Sequence, residues 1–263
     1  MNAMQQELMS PPSGGEFGFR LLPVEAIART NGQAPVDISI YPGRLIALEG
    51  TDGVGRSTQI ALLREWLETL GFGVLHTGLT RSRLAGDGLR KAKQGTTLSQ
   101  RTLDLFYATD FADRLETDIL PALRAGFVVL TDRYIYSTIA RSIVRGIEPG
   151  WLRDVYRFAP KAHGVFYLKA SLPHLIPRVL ARGGFDYWES GLDYREERDL
   201  YSSFRPYQQA VLDVFDELAK ENGFHVLDAD RGVAEVFAEL KRGIEPLLAA
   251  HEGVRHDGRR SDG

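Results

Sequence analysis

Apolar residues in this chain gather in two ways: short uninterrupted runs, and longer stretches in which they recur every three or four positions. Runs at Leu45 to Glu49, Val74 to Thr77, Phe127 to Thr131, Val165 to Lys169 and Phe224 to Leu227 predict five strands, short and continuous enough to be buried on both faces. Ile60, Leu63, Trp66, Leu67 and Leu70 share one helical face, and Gly71 ends that helix. A long amphipathic helix is predicted from Ser99 to Leu123, with Leu103, Phe106, Tyr107, Phe111, Leu115 and Ile119 on its apolar side and Pro121 near its end. Further helices are predicted at 193–220 and 232–249, and the basic, glycine-punctuated stretch Gly78 to Gly95 as part loop, part short helix. Strands that alternate with helices predict an α/β fold: a five-stranded parallel sheet with helices on both faces, wound so that ligands collect at the strands' carboxyl ends.

Two segments fall outside that pattern. Residues 1–15 are polar with a Pro/Ser/Gly finish, which predicts disorder, while Phe17, Phe19, Leu21, Leu22, Val24 and Ile27, then Val36, Ile38, Ile40 and Tyr41, predict a short helix and an edge strand packed on the domain. The tail from His251 is polar and is expected to be solvated and disordered. The domain plan is thus an N-terminal extension over 1–43, one domain over 44–249 and a disordered tail over 250–263.

Composition narrows the partners. With Lys plus Arg 32 against Asp plus Glu 35, the net charge of −3 does not suggest a protein that coats nucleic acid or an anionic membrane, so positive charge must be concentrated in a site. There is no cysteine, which removes disulfides, thiol nucleophiles and thiolate ligands and suits a reducing cytoplasm. No apolar run approaches a membrane span, and no export signal is predicted at the N-terminus. His76, His163, His174 and His225 lack ligand spacing and read as structural, without a zinc site.

The chemistry sits where the first predicted strand ends. Glu49-Gly50-Thr51-Asp52-Gly53-Val54-Gly55-Arg56-Ser57-Thr58 matches the phosphate-loop template G-x-x-x-x-G-K-[ST], with Gly50 and Gly55 at the glycine positions, Ser57 at the hydroxyl and Arg56 in place of lysine. Glycines let the backbone turn with N–H groups inward, and the following helix adds its free N-terminal donors, so a polyphosphate can bind without a side-chain cage. Ser57 can reach a magnesium ion between the terminal phosphates. Arg56 keeps the charge of lysine but not its placement, because a planar fork is bulkier and more directional than an ammonium group. Asp132 and Arg133 follow directly on another strand, at the same edge of the sheet, where an Asp can hold magnesium through water and an Arg can clamp a second phosphate.

These residues, with Leu-Phe-Tyr-Ala from Leu105, Asp-Arg-Tyr-Ile-Tyr-Ser-Thr at 132–138, the arginines near 178–182 and Val-Leu-Asp-Ala at 226, resemble the thymidylate kinase family over about Gly43 to Leu248. The resemblance implies a P-loop NTPase-type sheet with a helical lid, ATP as donor, magnesium, a homodimer, a cytoplasmic enzyme and transfer of a phosphoryl group to a nucleoside monophosphate, foremost dTMP. It implies that Gly50 to Thr58 hold the donor, that Asp52 meets the acceptor's 3'-hydroxyl, that Arg133 and Arg81 meet its phosphate with Tyr134 alongside, and that Asp132 and Ser57 flank the metal. Tyr107, or Phe106 in a shifted register, would wall the base. Arg178 and Arg182 would open a lid over Gly183 to Arg198; Arg182 would act on the moving phosphoryl group and Arg56, the other catalytic candidate, on the donor.

The chain departs from the family in three places. The arginine that usually reads thymine has Asp110 or Phe111 in its position, with Phe111 carried as a base contact and only Arg114 further along; Arg141-Ser142 replaces a more neutral polar pair; and Arg56 replaces lysine. A kinase acting on a different or modified nucleotide is therefore the rival expectation, and a nucleotide-binding accessory protein with little turnover is a second.

Overall fold

A computed structural model of the chain describes residues 35–95, 98–194 and 199–257. Five parallel strands, β1 (Arg44–Glu49), β2 (Val74–Gly78), β3 (Val128–Asp132), β4 (Gly164–Lys169) and β5 (His225–Asp228), form one sheet in the order β2-β3-β1-β4-β5. β1 is the middle strand; the chain goes from it to the edge strand β2, returns to β3 between them, and then crosses to β4 and β5 on the other side, so the winding switches sides beside β1. That switch opens a crevice at the carboxyl ends of β1 and β3.

The helices are α1 (Arg56–Thr69), α2 (Gly86–Gly95), α3 (Gln100–Arg114), α4 (Leu120–Arg124), α5 (Tyr136–Val144), α6 (Pro149–Val155), α7 (Leu172–Ala181), α8 (Leu200–Asn222) and α9 (Val233–Asp257). Successive residues of β1 point to opposite faces. Leu45 and Ala47 join a core with Phe111, Ile139 and Phe215 from α3, α5 and α8, while Ile46 and Leu48 join a second core with Leu63, Leu175 and Leu240 from α1, α7 and α9. Each fully buried Leu or Ile contributes about 1.5–3 kcal/mol. The two layers therefore stabilise the strand whose end carries the phosphate loop.

Several expectations need correction. Val36 to Tyr41 form no edge strand: the backbone turns, with Tyr41 N donating to Ile38 O at 3.2 Å, and Asp37 accepts from Ser39 N at 2.9 Å. An aspartate two residues before a free N–H offers the backbone a turn in place of a ladder. The long helix at 99–123 is interrupted by a π-helical turn at Leu115–Ile119, just before Pro121, whose missing N–H breaks the regular hydrogen-bond register. The helix expected to start at 193 begins at Leu200, capped by Asp199, which accepts from Ser202 N at 2.9 Å. The last helix runs on to Asp257, past the boundary drawn at 249. The helix and disorder expected within 1–34, residues 195–198 of the lid and residues 258–263 of the tail lie outside the described residues.

Candidate active site

Strand register explains why distant motifs meet. β1 pairs with β3 so that Leu48 lies opposite Asp132, and β2 pairs with β3 so that Gly78 lies opposite Asp132. The three strands thus release their chains side by side, and Arg133 N donates to Leu48 O at 3.0 Å. A Cβ on Gly78 would stand 2.7 Å from Asp132 O, so only glycine permits this approach.

Gly50, Gly53 and Gly55 of the loop have φ of 142°, 81° and 100°, in the region that side chains disfavour. A Cβ on Gly50 would also meet Leu168 O at 2.5 Å. Ser57 and Thr58 are exposed at the start of α1. Arg56 is buried: Nη1 donates to the carbonyls of Gly50 and Thr51, each at 2.6 Å, and Nε donates to Asp132 Oδ1 at 2.7 Å.

Arg133 is left-handed, with φ of 68°, a conformation that costs a non-glycine residue about 1–3 kcal/mol. The surroundings hold it there. Thr131 Oγ1 donates to Arg133 O at 2.5 Å, and the next N–H, of Tyr134, donates to Glu49 Oε1 at 2.9 Å. Glu49 is wholly buried; burial pushes its carboxyl up, opposed by hydrogen bonds from Ser137 and Tyr134 and by the charges of Arg133 and Arg56. The guanidinium of Arg133 lies 3.3 Å from Ser137 Oγ and 3.5 Å from Gly50 O, and it pairs with Asp52. Arg133 and the loop therefore face one another. Arg141 takes the second oxygen of Asp52. Burial raises the Asp52 carboxyl, but Arg133 and Arg141, helped by Arg56 and Arg182, outweigh it and hold the group well below the usual carboxylate range. Burial and neighbouring arginines lower Arg133 in turn to about 10.

Two hollows flank the loop. The first, about 330 Å³, is lined by Asp52, by Leu79, Thr80 and Arg81 after β2, by Lys93, Tyr107, Asp132, Arg133 and Arg141, and by Asp186, Trp188 and Glu189. Among the described residues, Thr80 and Arg133 are the two non-glycine residues with left-handed backbone, and both line this cleft. A recess of about 30 Å³ adjoins it, with Gln100, Thr138, Ser142 and Arg145 among its walls. The second hollow, about 280 Å³, lies on the other side of the loop, against Gly53, Gly55 and Thr58, with Arg178 and Arg231 opposite.

Of the aromatic candidates, Tyr107 faces the cleft and Phe106 does not line it. Phe111 is 1% exposed, edge-on to Tyr134 at 5.0 Å, and Tyr134 is equally buried with its hydroxyl donating to Pro160 O at 2.7 Å. Phe111 and Tyr134, both expected as substrate contacts, are core residues: α3 turns Phe111 inward, and the turn after β3 packs Tyr134 against Phe111 with its hydroxyl on Pro160 O. Asp110 reads no base either. It accepts from Thr80 N at 3.1 Å, Ser82 N at 2.9 Å and the buried Arg114 at 3.0 Å, and so anchors the loop that carries Arg81. Arg178 donates to Ala229 O at 2.9 Å, and Arg182, at the end of α7, pairs with Glu189 and lines neither hollow.

The segment after α7 is docked. Gly183 and Gly184, with φ of 121° and 99°, start it, and Phe185 packs on Phe204 at 4.6 Å. Arg145 binds both oxygens of Asp193 at 2.7 and 2.8 Å, Trp188 O at 3.1 Å and the Tyr207 hydroxyl at 2.6 Å. Trp188 Nε1 donates to Lys93 O at 3.1 Å, which brings this segment across the cleft to α2. Burial, then the nearby Asp52, push the Glu189 carboxyl up to about 7.

Sequence reasoning missed Glu49, Lys93, Trp188 and Glu189 and left Arg141 without a role. Glu49 carried a signal, an acid closing an apolar strand before a glycine loop. The others depend on which distant segments pack together. A hydroxyl at Ser57 and a carboxylate at Asp132 are hard oxygen donors of the type magnesium takes alongside substrate phosphates, and the half-buried Asp132 is held ionised: burial raises it, but Arg56, Arg133 and Arg81 lower it further.

The family model for thymidylate kinase matches residues 48–240. A probable thymidylate kinase 2 of Saccharolobus solfataricus is 36% identical over 202 residues, covering 76% of this chain and 94% of its own. The thymidylate kinase of Clavibacter michiganensis subsp. michiganensis is 35% identical over 218 residues, covering 79% and 97%. A probable thymidylate kinase of Thermococcus kodakarensis is 37% identical over 146 residues, covering 52% and 71%.

Proposed function

The chain belongs to the thymidylate kinase family, and from that premise we propose how its residues divide the work of ATP-dependent phosphorylation of dTMP. The donor nucleotide occupies the hollow between Gly53, Thr58 and Arg231, its phosphates drawn over the loop N–H groups. The acceptor occupies the cleft between Asp52, Tyr107 and Arg133, with its base against Tyr107 and the recess beside Thr138 and Ser142. The two guests then meet above the loop. The observation that carries this reading is the convergence of Arg133, Asp52 and the phosphate loop on one cleft, with a second hollow across the loop.

An acceptor phosphate has a second pKa near ~6 and is mostly dianionic at neutral pH, so no general base is required. The barrier is instead the approach of two anions. Arg133 and Arg81 hold the acceptor phosphate, the loop and Ser57 hold the donor, and Arg182, swung from its pairing with Glu189, reaches the transferring group as the lid segment adjusts. Ser57 and Asp132 would hold magnesium, which would supply charge neutralisation at the donor phosphates. Closure of the segment from Gly183 onward excludes water and so limits ATP hydrolysis.

The homodimer and the cytoplasmic setting are proposed with this reaction. Leu84 and Leu105 are exposed and supply apolar surface for a second copy. Among the described residues no helix is long and apolar enough to cross a membrane.

A coupled ADP-release assay across a panel of monophosphates tests the reading. dTMP is expected to drive release, and Arg133→Ala to lower it by about 10³-fold or more. Full activity in that variant would refute the acceptor assignment. Release driven by another monophosphate, but not by dTMP, would favour a kinase for that nucleotide, a reading that Arg141 in the cleft motivates.

A further inference from the structure

Arg56 stands at the position where the phosphate-loop template carries a lysine that reaches the donor's phosphates. Its guanidinium is committed elsewhere. Nη1 lies 2.6 Å from each of the Gly50 and Thr51 carbonyls, and Nε lies 2.7 Å from Asp132 Oδ1. Only about a tenth of the side chain is exposed, 9%, so the three acceptors hold it in one pose. A lysine ammonium is a single point and cannot span a loop carbonyl pair and a strand-end carboxylate in this way, whereas a planar fork with five donors can. The cation sits against the one carboxylate that closes β3, and a charge-assisted contact of this length is among the stronger protein hydrogen bonds.

We propose that Arg56 is a positioning residue that acts through Asp132: it is that carboxylate's counter-charge, weakening its pull on magnesium, and does not itself ligate the donor phosphates. The inference rests on the reading above in which Asp132 lies beside the metal. A cation at 2.7 Å from Asp132 opposes the approach of a dication to the same oxygens, so removing it strengthens metal binding there.

The test compares wild type with Arg56→Gln by calorimetric titration of ATP without metal and by titration of magnesium at fixed ATP. The expected result is a metal-free ATP affinity within about threefold of wild type and a half-saturating magnesium concentration lowered by about threefold or more. Weaker metal-free ATP binding beyond that range, or an unmoved magnesium titration, overturns the inference. Arg56→Lys keeps a charge beside Asp132 and is read if the glutamine variant does not fold. Its metal-free ATP affinity is expected to rise above wild type, because an ammonium freed of the loop carbonyls reaches the phosphates as in the template, and an affinity no higher than wild type would overturn the inference. Failure of the underlying reading looks different, because wild type itself would then show no magnesium-dependent, acceptor-driven ADP release.

Discussion

Single side chains in this protein owe their roles to the partners that burial leaves them. Arg114 is completely buried, and Asp110, one helical turn before it, is its carboxylate partner at 3.0 Å. Breaking a buried ion pair by removing one member costs about 3–5 kcal/mol, because the other charge stays in the interior. Asp110→Ala is therefore expected to lower stability by that order in urea unfolding, and also to raise the KM for the acceptor, since the N–H groups of Thr80 and Ser82 lose their anchor. Replacing both partners with apolar residues, Asp110→Leu with Arg114→Met, should restore much of the stability while leaving KM raised. A variant Asp110→Ala as stable as wild type would show that the pair is not what orders this loop. The same logic separates neighbours on α3: Tyr107 faces the cleft, while Phe111, one turn on, lies against Tyr134 in the core.

The segment from Gly183 to Tyr194 is anchored by side chains from several elements, Arg145 at the C-cap of α5, Ser203 and Gln208 of α8 among them. Arg145 joins α5 to this segment through Asp193 and Trp188 O, and to α8 through Tyr207. Those bonds cross between elements and are not part of any helix's own ladder, so their loss should open the segment locally before the domain unfolds. Arg145→Ala is expected to raise amide hydrogen exchange at 186–194 by about tenfold or more and to raise the acceptor KM, with kcat less affected. Unchanged exchange over these residues would mean that the remaining anchors, Phe185 on Phe204 and the bonds from Ser203 and Gln208, suffice to dock them. Glycine at 183 and 184 supplies the positive φ at the point where the segment leaves α7.

Across the molecule, two half-buried groups oppose each other in their response to pH. His163 Nδ1 accepts from Leu45 N at 2.9 Å, and burial pushes its pKa from 6.5 down to about 4, so the unfolded chain takes up a proton that the folded one refuses and stability falls as pH drops through that window. Glu189 is pushed from 4.5 up to about 7, so the folded chain keeps a proton that the unfolded one has released and stability falls as pH rises through that window. The two slopes overlap and offset each other in wild type. Glu189→Gln is expected to match wild type near pH 4.5, to exceed it at pH 8, and to expose the loss below pH 6.5 that belongs to His163. Denaturant titrations across pH check this, and parallel curves for the two proteins would reject it. The order of strands and helices, the phosphate loop and the presence of Asp132 and Arg133 at a strand end were legible in the chain, because periodicity, glycine runs and strand-end loops are local properties. The five strands came out within a residue or two of their apolar runs. Where Arg56 and Arg141 point, which of Phe106 and Tyr107 walls the cleft, and what covers it were decided only by the assembled fold. A long guanidinium chooses among acceptors delivered from remote parts of the chain, Asp132 for Arg56 and Asp52 for Arg141, and the exposed side of a helix is set by whatever packs against the other.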